Sequence, residues 1–264
     1  MAGHSHAKNI MHRKGAQDAR RGKIFTKLIR ELTVAAKTGI PDPASNPRLR
    51  AAISAAREAN MTRDTIDRAV KRGAGGEDDT NYEEVRYEGY GPGGIAMIVE
   101  ALTDNRNRTA SDIRSSFAKM GGVLGEMNSV AFSFKRVGQI KYGQKLADKS
   151  ELTEERLLEC GLECGADDVY AETESNDRDE EIPVFYAEGD VENFASLRDG
   201  LEKQLGEAMG AKLVWKPQTT NPISDEHLDK LIKLIEVLED NDDVQTVTAN
   251  HDISEAQYDR LSRA

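Results

Sequence analysis

The sequence predicts an α+β protein of three domains: an N-terminal three-helix domain followed by two ferredoxin-like α/β domains, one inserted in the other. Three observations lead there. Apolar residues recur at helical spacing up to Gly73. Beyond a Gly- and acid-rich run, Gly73 to Asp79, strands and helices alternate. A first strand–helix series then stops two elements short at residue 134, and two unassigned elements follow residue 216. The boundaries that follow are 1–79 for the helical domain, 80–135 plus 216–264 for one α/β domain, and 136–215 for the insertion.

Each element has its own signal. A first helix is expected from Gly22 to Lys37, with Phe25, Leu28, Ile29, Leu32, Ala35 and Ala36 on one side and Lys23, Lys27 and Arg30 opposite; Gly39 and Pro41 end it. Asn46-Pro47 announces a second helix, with an N-cap and a proline at the first helical position. It buries Leu49, Ile53 and Ala56 and turns Arg48, Arg50 and Arg57 outward. A third starts at the cap Thr62, buries Ile66, Ala69 and Val70, and stops at Gly73. Strands are expected at Tyr82–Tyr90 and Ile95–Thr103, joined by Gly91-Pro92-Gly93-Gly94, then a helix Thr109–Met120 and a strand Val130–Phe134. The inserted series reads strand Gln139–Tyr142, helix Thr153–Cys164, strands Val169–Thr173 and Ile182–Ala187, helix Val191–Leu205 and strand Ala211–Trp215. Helix Asp225–Leu238 and strand Val244–Ala249 complete the interrupted domain.

The formal net charge of −11 by itself argues against a nucleic-acid binder, but the charge is segregated. Residues 1–76 hold 16 Lys/Arg against 6 Asp/Glu, a net of +10, and the remainder carries −21. Such asymmetry points to nucleic acid or a membrane surface. No stretch approaches the roughly 18 consecutive apolar residues of a membrane span. The N-terminus lacks the apolar core of a signal peptide, and Cys160 and Cys164 make no disulfide framework, so a reducing cytoplasm is expected.

No catalytic signature is found. Gly89-Tyr90-Gly91-Pro92-Gly93-Gly94 is followed by neither Gly-Lys-Ser/Thr nor a helix and reads as a hairpin turn, not a phosphate loop. Cys160 and Cys164 lack two further ligands and read as small buried residues. His4, His6 and His12 keep company with Lys8, Asn9, Arg13, Lys14, Gln17, Arg20, Arg21 and Lys23, a mixture suited to phosphates and base edges, although a merely solvated tail is the competing reading. Thr103-Asp104-Asn105-Arg106-Asn107-Arg108-Thr109 precedes a helix. It reads either as an N-cap or, through Arg106 and Arg108, as a second anion site. The acidic run Glu172 to Glu181 reads as a solvated loop, and Trp215 as a core residue ending a strand.

Several motifs in fixed order carry a resemblance: Gly3-His4-Ser5, Asn9-Ile10, His12-Arg13-Lys14, Gln17-Asp18, Gly22-Lys23-Ile24-Phe25, Asn46-Pro47-Arg48-Leu49-Arg50, Asn60-Met61, Tyr87 to Gly94 and Thr103 to Thr109. Together they are similar to the YebC family over nearly the whole chain, most densely from residue 3 to 134. The chain departs from the family pattern at His6-Ala7, where Lys-Trp is common, and at Asn128-Ser129, where Gly-Ser is favoured. The resemblance implies three domains with one α/β domain inserted in the other. It also implies a nucleic-acid-binding regulator, catalogued in the family as a DNA-binding transcriptional regulator. Through related members, among them a mitochondrial translational activator, the resemblance further implies a role in protein synthesis, the relief of ribosomes stalled at proline runs.

The expectation is therefore a non-enzymatic, cytoplasmic regulator that binds DNA or ribosomal or transfer RNA, possesses no cofactor or metal, and uses neither a membrane nor a small-molecule substrate. A protein-only adaptor would leave the basic segment unexplained. The residues expected to touch nucleic acid are His4, Lys8, His12, Arg13, Lys14, Arg20, Arg21, Lys23, Lys27, Arg30, Arg48, Arg50, Arg106 and Arg108.

Overall fold

The computed structural model describes residues 17–75, 80–175 and 181–263. Arg136–Lys216 make one compact unit; the described residues before and after them make the other.

The second of these units opens with three helices, α1 (Gln17–Thr38), α2 (Pro47–Glu58) and α3 (Arg63–Ala74). Their core is Leu32, Ala35, Ala36, Leu49, Ala52, Ala56, Met61, Ile66 and Ala69, with Phe25, Leu28, Ile29, Ile53 and Val70 packed on its margin. Asn46 caps α2 by accepting from the Leu49 N–H at 3.0 Å, and its amide nitrogen donates to the Ala35 and Ile40 carbonyls, which fixes the end of α1 against the start of α2. Thr62 caps α3. Gly73 does not end that helix, as the sequence suggests; α3 continues to Ala74. Gly73 is buried where a Cβ would collide with the Thr33 carbonyl, so its role is close approach of α3 to α1.

The same unit continues with β1 (Glu83–Tyr90), β2 (Ala96–Thr103), α4 (Arg106–Lys119) and β3 (Val123–Leu124). After the insertion the chain resumes with β8 (Asn221–Pro222), α7 (Asp225–Glu239), β9 (Val244–Ala249), β10 (His251–Asp252) and α8 (Glu255–Arg263). The four-stranded sheet runs β3-β1-β2-β9 with antiparallel neighbours; β8 and β10 form a short parallel pair. Phe117 of α4 lies over Gly89 and Gly122, and Leu231 of α7 over Gly91, so both helices cover one face. The Pro92–Gly94 turn closes the β1/β2 hairpin with Gly93 and Gly94 both at φ 75.

The expected strand at Val130–Phe134 is not formed. The Val130 and Ala131 N–H groups both donate to Oε2 of the buried Glu88, each at 2.9 Å. Their donors are thus unavailable to a ladder, and Ala131–Ser133 make a 3₁₀ turn. The sheet edge is taken instead by β3, which pairs with Gly89 and Tyr90.

The inserted unit consists of β4 (Phe134–Gly143), α5 (Glu154–Cys164), β5 (Asp168–Ser175), β6 (Glu181–Asp190), α6 (Phe194–Leu205) and β7 (Gly210–Pro217). Its order β5-β6-β4-β7 is that of a ferredoxin-like βαββαβ sandwich. The other sheet, β3-β1-β2-β9, is connected differently: its hairpin joins β1 to β2 ahead of the first helix, and β3 follows that helix at the sheet edge. Three helices followed by two α/β sandwiches is the fold class the sequence predicts.

Candidate nucleic-acid interface

α1 presents two unlike sides. Leu28, Ile29 and Leu32 face the three-helix core, while Lys23, Lys27 and Arg30 follow one another at intervals of four and three, forming a cationic stripe. The stripe is half-buried and paired within the chain. Lys23 Nζ lies 2.8 Å from the Asp240 carboxylate, and Lys27 Nζ donates to the Glu239 carbonyl at 2.6 Å. Arg30 Nη1 is 2.8 Å from Asp243 Oδ1 and donates to the carbonyls of Leu102 at 2.9 Å and Asp242 at 3.0 Å, with its guanidinium 5.1 Å above the Tyr82 ring. Burial lowers the Lys27 pKa against the opposing pull of Glu239, Asp242 and Asp240.

Asp243 is the hub. Its Oδ1 accepts from Arg30; its Oδ2 accepts from Arg108 at 2.8 Å, the Thr109 hydroxyl at 2.7 Å and the Thr103 hydroxyl at 3.2 Å. Burial pushes this carboxyl upward, but the hydrogen bonds from Arg108, Thr109 and Arg30 outweigh it and hold the pKa below the usual range. Arg108, raised by its bonds to Asp243 and Asp104, is thereby committed to two carboxylates.

Asn105, not Asp104, caps α4, accepting from the Arg108 N–H at 3.1 Å. The cleft beside this helix start, about 560 Å³, is lined by Glu83, Asp104, Asn105, Arg106 and Tyr87 among others. Arg106 reaches Glu83 at 3.5 Å with both side chains well exposed. An anion there would meet two carboxylates and a helix end already capped, so the structural reading of this motif gains for Arg108, while Arg106 stays solvent-accessible.

Other expected contacts divide similarly. Arg48 forms a two-pronged pair with Glu31, at 2.7 and 2.9 Å, and a 2.5 Å contact with Glu84; the Glu31 bond is the main cause of its raised pKa. Arg50 donates to the Pro43 and Ala44 carbonyls. His4, Lys8, His12, Arg13 and Lys14 lie outside the described residues; Arg20 and Arg21 are in the first turns of α1, their side chains likewise outside. The structure adds cations that the sequence reading did not single out. Lys71 and Arg72, on the last turn of α3, are exposed and their side chains meet no described partner, and Arg63 and Arg68 beside them make exposed pairs with Asp67 and Asp64, Arg68 donating also to the Thr65 hydroxyl. The i, i+3, i+4 spacing of Arg68, Lys71 and Arg72 was the available signal.

Among the described residues no three His, Cys, Asp or Glu side chains converge as a metal site. Cys160 and Cys164 sit on α5 against the core of the inserted unit, and burial pushes both thiols up. Among the described residues no helix is long and apolar enough to cross a membrane.

Residues 5–76 match the family model of the TACO1/YebC protein N-terminal domain, and residues 82–251 match a transcription-regulator model describing the TACO1/YebC second and third domain. The crystal structure of a conserved hypothetical protein, Aq1575 from Aquifex aeolicus, is similar at 44% identity with a TM-score of 0.76, covering 92% of this chain and 95% of that one. With both models matching in order along nearly its whole length, the chain belongs to the TACO1/YebC family.

Proposed function

We propose that the chain is a non-enzymatic, nucleic-acid-binding regulator of gene expression acting in the cytoplasm, and in mechanism a translation factor. It contacts ribosomal or transfer RNA on ribosomes stalled in proline-rich sequence. Membership of the TACO1/YebC family supports a regulator of transcription or translation. The observation that carries nucleic-acid binding is charge segregation: +10 over residues 1–76 on a chain of net −11. The lean to RNA follows from the acidic remainder, which opposes lateral approach to a long duplex and is better tolerated at a localised ribosomal site, where shape and phosphates dominate recognition. The role needs no cofactor, metal, membrane or small-molecule substrate.

The second reading is a sequence-specific DNA-binding regulator, with arginines of the helical domain at base edges; the transcription-regulator model over residues 82–251 favours it. Ribosome co-sedimentation beside a duplex-DNA shift assay, each over a salt series, separates the two. Co-sedimentation that persists at salt where the DNA shift has vanished supports the translation reading, and the reverse order supports the DNA reading. Absence of both would remove nucleic-acid binding altogether.

A further inference from the structure

The cationic stripe of α1 is covered by another part of the same chain. Lys23, Lys27 and Arg30 meet Glu239, the last residue of α7, and Asp240, Asp242 and Asp243 just beyond it, four acidic residues within five positions. Two features make this segment resemble a run of phosphates. The carboxylates of Asp240 and Asp243 are ion-paired with the two ends of the stripe, and the carbonyls of Glu239 and Asp240 lie at the negative end of the α7 dipole, where Lys27 and Lys23 donate to them.

We propose that this segment is an intramolecular competitor for the phosphate-binding stripe of α1, an autoinhibitory clasp that must open before Lys23, Lys27 and Arg30 can meet a polyanion. The proposal rests on the nucleic-acid reading above. The contact is built for exchange. Its members are cations on carboxylates and carbonyls, with Arg30 held besides by the Leu102 carbonyl and the Tyr82 ring, whereas the apolar side of α1 belongs to the separate three-helix core, so opening exposes charge and leaves that core intact. Every internal ion pair that opens has a counterpart in a cation–phosphate pair, and release of counterions from the nucleic acid biases the exchange toward the open state. The outer pair, Lys23 with Asp240, is exposed at 41% and 69% and is the part that yields first; Arg30 on buried Asp243 is the part that holds. A closed majority state lowers apparent affinity by the fraction of open molecules.

The test locks the clasp in the full chain. Cys160→Ser and Cys164→Ser remove the native thiols, and Lys23→Cys with Asp240→Cys places one thiol on each side of the outer pair. A short bis-maleimide joins them; the same protein treated with N-ethylmaleimide is the control, having lost the same charges without being locked. Binding to a short RNA duplex and to a DNA duplex of the same sequence is measured for both, with circular dichroism to show that each is folded. The clasp predicts that the locked form binds at least about tenfold more weakly than the control. It also predicts that Asp240→Asn alone, in the otherwise unaltered chain, binds more tightly than the parent. Equal binding by locked and control forms overturns the clasp and leaves the nucleic-acid reading standing, since other cations then carry the affinity. If the unaltered chain, control and Asp240→Asn all bind neither duplex, the nucleic-acid reading fails on these probes, and the clasp fails with it.

Discussion

Arg106 and Arg108 stand two residues apart at the start of α4, and their surroundings divide them. Arg108 serves buried Asp243, whereas among the described residues Arg106 pairs with exposed Glu83. Arg108→Gln should therefore lower the melting temperature, because a buried carboxylate keeps its desolvation cost and loses a charged donor. Arg106→Gln should leave it nearly unchanged. Thermal unfolding of the two single variants checks this, and equal melting temperatures would contradict the division. A pH dependence follows from Asp243 itself. Facing it are Arg30 from α1 and Arg108 and Thr109 from α4, with Thr103 at the end of β2; Asp104 shares Arg108, and Tyr87 is also nearby. Its folded pKa is depressed, so its contribution is fully present above the unfolded value of about 3.9 and is lost as pH falls through the lower folded value. The stability difference between the parent and Asp243→Asn should then be constant near neutrality and shrink below about pH 4, as followed by urea unfolding at a series of pH values.

At the scale of elements, Gly73 distinguishes helix propensity from packing. An exposed mid-helix Gly→Ala change gains about 1 kcal/mol from propensity. At Gly73 the added methyl would strike the Thr33 carbonyl and crowd the Ala36 Cβ, so α3 must shift away from α1. Overpacking of this kind costs about 1–3 kcal/mol, and the net sign for Gly73→Ala should be destabilising. Urea unfolding monitored by circular dichroism reads that sign directly. The missing strand at Val130–Phe134 is the same lesson in a sheet. Its apolar residues suit a strand, yet a carboxylate from β1 takes two of its N–H groups and converts the segment into a turn.

Over the whole molecule, the expected affinity depends on how many cations remain after internal pairing. Neutralising Arg13, Lys14, Arg20, Arg21 and Lys23 together should weaken nucleic-acid binding and flatten its log–log salt dependence by about 0.7–0.9 for each phosphate no longer neutralised. A salt series by fluorescence anisotropy measures this, and an unchanged slope would remove the segment from the interface. The corresponding change at Lys71 and Arg72 tests the exposed end of α3, and a reduced slope there would assign α3 to the interface as well.

The sequence by itself determined what depends on neighbours within a few residues. The caps Asn46 and Thr62, the helical spacing of Leu28, Leu32 and Ala35, and the Gly-Pro-Gly-Gly hairpin are set by contacts between residues i and i+4 at most, so they are legible as patterns. The charge asymmetry and the order of the two α/β series were legible too, being properties of composition and succession. Only the tertiary structure decided which of the described cations are paired within the chain. Arg30 meets Asp243 across 213 residues, Lys27 meets Glu239 across 212, and the Gly73 contact with Thr33 joins two helices. A stripe of Lys and Arg looks the same in sequence whether it faces water, phosphate or the end of another helix, because the partner's identity is fixed by packing of distant segments and leaves no local trace.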